Sequence, residues 1–149
     1  MIKTLAAAAA AAVIAAGTAF SQAGNPAPES DSGQMLTILT SERPQTQLMA
    51  LILTRAGMQA GADVRVLLCD AAGDLALAEP PAAATAPLAP RDMSPHGLLA
   101  MLAGQGVTVQ VCAIYLPNSD HAEDDLMDGV SVATPPEIAA VMLEPDTRL

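Results

Sequence analysis

Aromatic side chains are almost missing from this chain: tryptophan is absent, and Phe20 and Tyr115 are its sole phenylalanine and tyrosine. Surfaces that stack bases, sugar rings or a flavin are built from such side chains, so three ligand classes lose their usual partners. Basic charge is scarce too. One lysine and five arginines face sixteen carboxylates, for a formal net charge of −10, an excess that repels nucleic acid and anionic lipid. Two histidines and two cysteines occur without metal-ligand spacing and without a CxxC pair, so zinc and a thioredoxin-type dithiol are not indicated. No GxGxxG, phosphate-binding GxxxxGK or nucleophile-elbow GxSxG motif is present, and Gly104-Gln105-Gly106 precedes a strand instead of opening a helix. The acidic run Asp120 to Asp128 lacks the EF-hand pattern and reads as a solvated loop. No cofactor and no metal are expected.

What the chain does have begins at its start. Lys3 precedes an apolar run from Leu5 to Phe20, and Ser21-Gln22-Ala23 puts small residues three and one positions before a cut. That is the pattern of a cleaved export signal, and the run is too alanine-rich and short for a spanning anchor. The expected organisation is a signal peptide over 1–23, a small, polar, proline-bearing disordered lead-in over 24–33, and one α/β domain over 34–149. The expected location is the periplasm, with no membrane attachment once the signal is removed.

Within the domain, Met35–Thr40, Asp63–Cys69 and Val107–Ala113 are short apolar runs rich in β-branched residues, and they read as strands. Val130–Ala133 reads as a fourth strand and Thr147–Leu149 as the stub of a fifth. Pro44 opens a helix ending near Gly57 or Gly61, whose apolar positions Leu48, Met49, Leu51, Ile52, Leu53 and Ala56 cover more than one face. Such a helix calls for extra cover, and a partner subunit of a homo-oligomer is the simplest. Asp70–Glu79 is a short helical or turn segment, and Pro80–Pro90 a surface loop. Ser94-Pro95 caps a helix running to Gly104. The connection Tyr115–Asp128 is polar and acidic, and Thr134-Pro135-Pro136-Glu137 has capping-box spacing before a helix over Ile138–Leu143. Strands alternating with helices imply a mostly parallel five-stranded sheet in a three-layer α/β sandwich.

In such sheets ligands gather at the carboxyl ends of the strands. Three ends carry notable residues: Thr40, Ser41 and Arg43 after the first strand, Cys69 and Asp70 after the second, and Cys112 after the third. Cys112 alternates with Val107, Val109 and Val111, so it shares a face with Thr108 and Gln110. Each cysteine also suits a small buried apolar position. A disulfide is open if the second and third strands are neighbours. With the first strand between them, two spacings of about 4.8 Å exceed the roughly 7 Å limit for a bridge.

Val-Gln-Val-Cys112-Ala-Ile-Tyr-Leu-Pro, an acidic stretch, Gly129-Val130-Ser-Val-Ala133, a capped helix and Asp146-Thr-Arg-Leu together resemble the C-terminal half of DsrE-like proteins. Val-Arg-Val-Leu-Leu-Cys69-Asp70-Ala-Ala-Gly-Asp-Leu-Ala-Leu-Ala is similar to that family's second strand and the segment after it. The resemblance covers nearly all of 35–149. It implies a flavodoxin-like sheet in strand order 2-1-3-4-5, an oligomer, often a trimer or hexamer, and, as in sulfur-relay members, persulfide sulfur on the cysteine matching Cys112. Partners would be a sulfur donor or acceptor protein, or a small sulfur species. The export signal sets this chain apart from those members, which are cytoplasmic.

A thiol that accepts sulfur must ionise, and a cation or helix N-terminus helps it to do so. Arg43 is the candidate stabiliser of a Cys112 thiolate, whereas Asp70 would oppose it. Two functions remain open on these residues. One is a sulfur- or thiol-handling protein acting through Cys112, and the other is a non-enzymatic binding or assembly module with structural cysteines.

Overall fold

The computed structural model describes residues 33–149. The expected signal peptide and the lead-in up to residue 32 lie outside the described residues. Gly33, expected as the last residue of that lead-in, is buried and its carbonyl accepts the Asp63 N–H at 3.1 Å.

Five strands form one parallel sheet: β1 (Gln34–Leu39), β2 (Asp63–Leu68), β3 (Thr108–Cys112), β4 (Val130–Ala133) and β5 (Thr147–Arg148). Four helices connect or flank them: α1 (Pro44–Gln59), α2 (Ala82–Thr85), α3 (Pro95–Gly104) and α4 (Pro135–Leu143). A 3-10 turn follows β2 over Asp70–Ala76, and two shorter ones lie between β3 and β4. The segment over 80–90 was expected as a loop. It contains the single-turn α2, held because Ala84 is buried in the core.

The α/β sandwich is as expected, but the strand order is β4-β3-β2-β1-β5, which replaces the expected order 2-1-3-4-5. β2, not β1, lies between β1 and β3. The order has a direct structural consequence because parallel crossovers are right-handed. From β1 through β4 the chain steps in one direction across the sheet, so α1, α3 and the β3–β4 connection fall on one face. From β4 it returns across the sheet to β5, so α4 falls on the other face.

The core follows that division. Leu39, Val64, Val66, Leu68, Val109 and Val111 point to the crowded face, where Leu51, Leu98, Leu99 and Leu102 from α1 and α3 cover them. The segment before β4 is tied to this layer by Met127 N–H to Ala76 O (2.8 Å) and Ala78 N–H to Asp125 O (2.9 Å). The opposite face has a smaller cluster of Leu36, Leu67, Ala133, Ile138 and Val141, with α4 as its only helix among the described residues. Nine residues of helix span about 13 Å, and α4 starts at the carboxyl edge of that face directly after β4.

Candidate functional site

Adjacent β3 and β4 send their following connections to opposite faces of the sheet. A crevice opens at the carboxyl ends of such a strand pair, and here it is a cleft of about 860 Å³. Its floor is the sheet itself: Leu67 and Cys69 from β2 and its end, Cys112 from β3, and Ala133 from β4. One wall is α4, through Ile138, Ala139 and Met142. The other is formed by the turn after β2 (Asp70, Ala71, Asp74) and the loop after β3 (Ala113 to Tyr115, Asn118, Ser119).

The period-two alternation places the cysteines. Val109 and Val111 enter the crowded core, while Gln110 and Cys112 turn to the α4 side, as the spacing predicts. Cys69 continues β2, its N–H bonding Leu39 O at 2.9 Å. Both sulfurs are unbridged thiols, half-buried, and packed against the cluster under α4. The Cys69 thiol is pushed up to about 12 by burial first, then by its hydrogen bond to Cys112 and the charge of that neighbour, and last by Asp70. Cys69 therefore keeps its proton through the ordinary thiol range.

Asp70 adopts a left-handed conformation, with φ of 51°, a region that Asp and Asn enter more readily than other side chains. It turns the chain sharply off β2 and brings a carboxylate to the cleft beside Cys69. Tyr115, from the loop after β3, lies flat against Gly73, where a Cβ would strike the ring. Its hydroxyl donates to Asp74 Oδ1 at 2.8 Å. Burial, then the Asp74 bond and charge, hold the phenol above its ordinary value. This contact locks the loop after β3 to the turn after β2 and fixes the cleft's outer wall.

Below the cysteines, the α4 wall is pinned by polar groups on the same face. Arg65 Nη1 donates to Gln110 Oε1 at 2.9 Å and pairs with Glu137 at 2.5 Å. The bond from Arg65 chiefly, and that from Gln110, lower the Glu137 carboxyl below its usual range. Thr134 makes no side-chain capping bond. The capping box expected from Thr134 and Glu137 is thus half formed: the Thr134 backbone bonds the Glu137 carboxyl, which also pairs with Arg65, a residue far away in sequence.

Of the residues singled out from sequence, the structure gathers Cys69, Asp70 and Cys112 into the cleft. Thr40, Ser41 and Arg43 do not line it. Ser41 instead braces the start of α1: its hydroxyl accepts the Arg43 N–H at 3.1 Å, and its carbonyl accepts Gln47 Nε2 at 2.9 Å. Arg43 is exposed at the N-cap of α1, after a strand two places from β3. The role expected of Arg43 therefore finds no contact at the cleft, which among the described residues is lined by no lysine, arginine or histidine. Sequence reasoning missed Tyr115, Asp74 and the apolar side of α4. A lone aromatic in an otherwise aliphatic domain was the available signal for Tyr115.

No family model matches the chain, and no curated protein matches it. Among solved structures, the fold is similar to that of the ychN protein from E. coli, with a TM-score of 0.54 and 21% identity over 76% of this chain and 92% of that one. It is also similar to MTH1491 from Methanobacterium thermoautotrophicum, a protein described as of unknown function, with a TM-score of 0.51 and 18% identity over 73% of this chain and 88% of the other. At these identities the likeness is one of fold, and it supports the DsrE-like fold to which the residues around Cys112 point.

Proposed function

We propose that this is an exported, periplasmic DsrE-like protein that accepts sulfur, or handles thiols, at Cys112. The observation that carries the reading is the pairing of two unbridged thiols on the floor of an apolar cleft at the carboxyl end of the sheet. A sulfur carrier needs a thiol that a donor can reach, together with walls that keep water from the loaded sulfur. The cleft supplies both, with aliphatic side chains of α4 on one side and Tyr115 on the other. Export rests on the signal over 1–23, and protein recovered from the periplasmic fraction is expected to begin near Gly24. A homo-oligomer belongs to the same reading. Met49, Ile52 and Leu53 remain exposed on α1, and a second copy is the occupant that would cover them.

The test uses Cys69→Ser, so that no second thiol competes. Reduced protein is treated with polysulfide, blocked with an alkylating agent and digested. The peptide holding Cys112 is expected to gain about 32 Da, one sulfur atom. An equal adduct in Cys112→Ser would sink the proposal. The contrasting reading, a binding module with structural cysteines, draws on the packing of both cysteines against the small cluster under α4. It is favoured if both thiols resist alkylation until the protein unfolds.

A further inference from the structure

Cys69 and Cys112 stand in register. Leu68 pairs with Val111 in the parallel ladder between β2 and β3, so these cysteines are the next facing residues. Neighbouring strands lie about 4.8 Å apart, within the roughly 4.4–6.8 Å between Cα atoms that a disulfide spans. Both side chains turn to the α4 side of the sheet and open into the same cleft. A sulfur atom held on Cys112 would therefore sit directly beside a second thiol, with space above it.

We infer that Cys69 is the resolving thiol for a persulfide on Cys112, so that the cleft reduces sulfane sulfur to sulfide and does not merely store it. This inference rests on the loading of Cys112 proposed above. In the loading step the Cys112 thiolate attacks the sulfane sulfur, and the donor leaves with the electron pair of the bond that breaks. In the resolving step Cys69 Sγ attacks Cys112 Sγ. The bond from Cys112 to the terminal sulfur breaks, that sulfur departs with the bonding pair, and it takes the proton that Cys69 gives up. A Cys69–Cys112 disulfide forms and hydrogen sulfide is released. The sulfane sulfur gains the pair of electrons that the two thiols lose. A dithiol reductant then returns the disulfide to two thiols and resets the site.

Two features of the site suit this order of events. The suppressed ionisation of Cys69 keeps its proton in place until a departing sulfur can receive it. The carboxylate of Asp70 beside it disfavours a second anion while the persulfide is forming.

The experiment compares the full chain with Cys69→Ser and Cys112→Ser, each reduced, freed of reductant under argon, and given polysulfide. Wild-type protein is expected to finish about 2 Da lighter than its reduced form, with Cys69 and Cys112 joined in one peptide pair. Cys69→Ser is expected to retain a stable gain of about 32 Da, and Cys112→Ser to show neither change. A dithiol should restore the wild-type mass. Retention of the added sulfur by wild type to the same extent as by Cys69→Ser overturns the inference and leaves the loading of Cys112 standing. A disulfide that closes equally fast with no donor also overturns it. Failure of Cys69→Ser to load removes the parent proposal, and the inference with it.

Discussion

Asp70 combines two effects at one position, and they can be separated. Its left-handed backbone suits Asp or Asn, while its charge opposes ionisation of Cys69. Asp70→Asn keeps the backbone preference and removes the charge. It is expected to change stability by no more than about 0.5 kcal/mol and to speed alkylation of Cys69 severalfold in mildly alkaline buffer, read by timed iodoacetamide quenching and peptide mass. An unchanged rate would show that the charge does not reach the thiol. The residue scale was also where the sequence was most legible. The alternation through β3 set Cys112 and Gln110 on one face, and Ser94 accepts the Gly97 N–H at 3.1 Å as its capping position predicts. Tyr115 was not legible in the same way, because its partners, Gly73 and Asp74, come from a turn about forty residues earlier.

At the scale of elements, α4 decides whether the cleft has a wall. The helix is short, carries prolines at its first two positions, and lies alone on its face among the described residues, so isolated helical propensity contributes little to holding it there. Ile138 and Val141 supply its apolar anchor, and Glu137 adds the bonds to Arg65 and Gln110. A carboxyl whose folded pKa is lowered stabilises the fold fully above its unfolded value, and that contribution fades as pH falls through the lowered one. Glu137→Gln should therefore be less stable than wild type near neutral pH. The difference should close as the solution is acidified through and below the carboxylate range, as followed by urea denaturation at a series of pH values. A gap that stays constant with pH would assign the loss to packing instead. The expected capping box at this helix is instructive for the same reason. Local spacing joins Thr134 to Glu137, and the Thr134 backbone does bond that carboxyl, but the charge-assisted bond to Arg65 is the stronger attraction for a carboxylate, and spacing along the chain does not reveal it.

For the whole molecule, the distribution of cover over the sheet governs both the site and the remaining surface. Right-handed crossovers crowd one face and leave the other to α4, which opens the cleft. On the crowded side, α1 buries Leu48 and Leu51 but leaves Met49 about 52% and Leu53 about 51% exposed. These two are one turn apart and lie on one side of the helix. A homo-oligomer that covers them should dissociate when both become Glu. Light scattering on the double variant is expected to give the mass of one chain where wild type gives a multiple. A wild-type protein that is already a single chain at high concentration would refute this assembly.

The sequence by itself determined the local parts: an acidic, aromatic-poor α/β domain, five strands within a residue or two of their ends, and Cys112 on the less apolar side of its strand. These follow from periodicity, breakers and caps, which act over a few residues. The tertiary structure alone decided the strand order, because parallel buried strands such as β1 and β2 carry much the same apolar pattern and nothing local says which is central. That order makes β2 the neighbour of β3, removes the geometric objection to a bridge, and sets Cys69 beside Cys112. The cysteine chosen from sequence is therefore one half of a pair, and the other half was brought to it by the packing of the sheet.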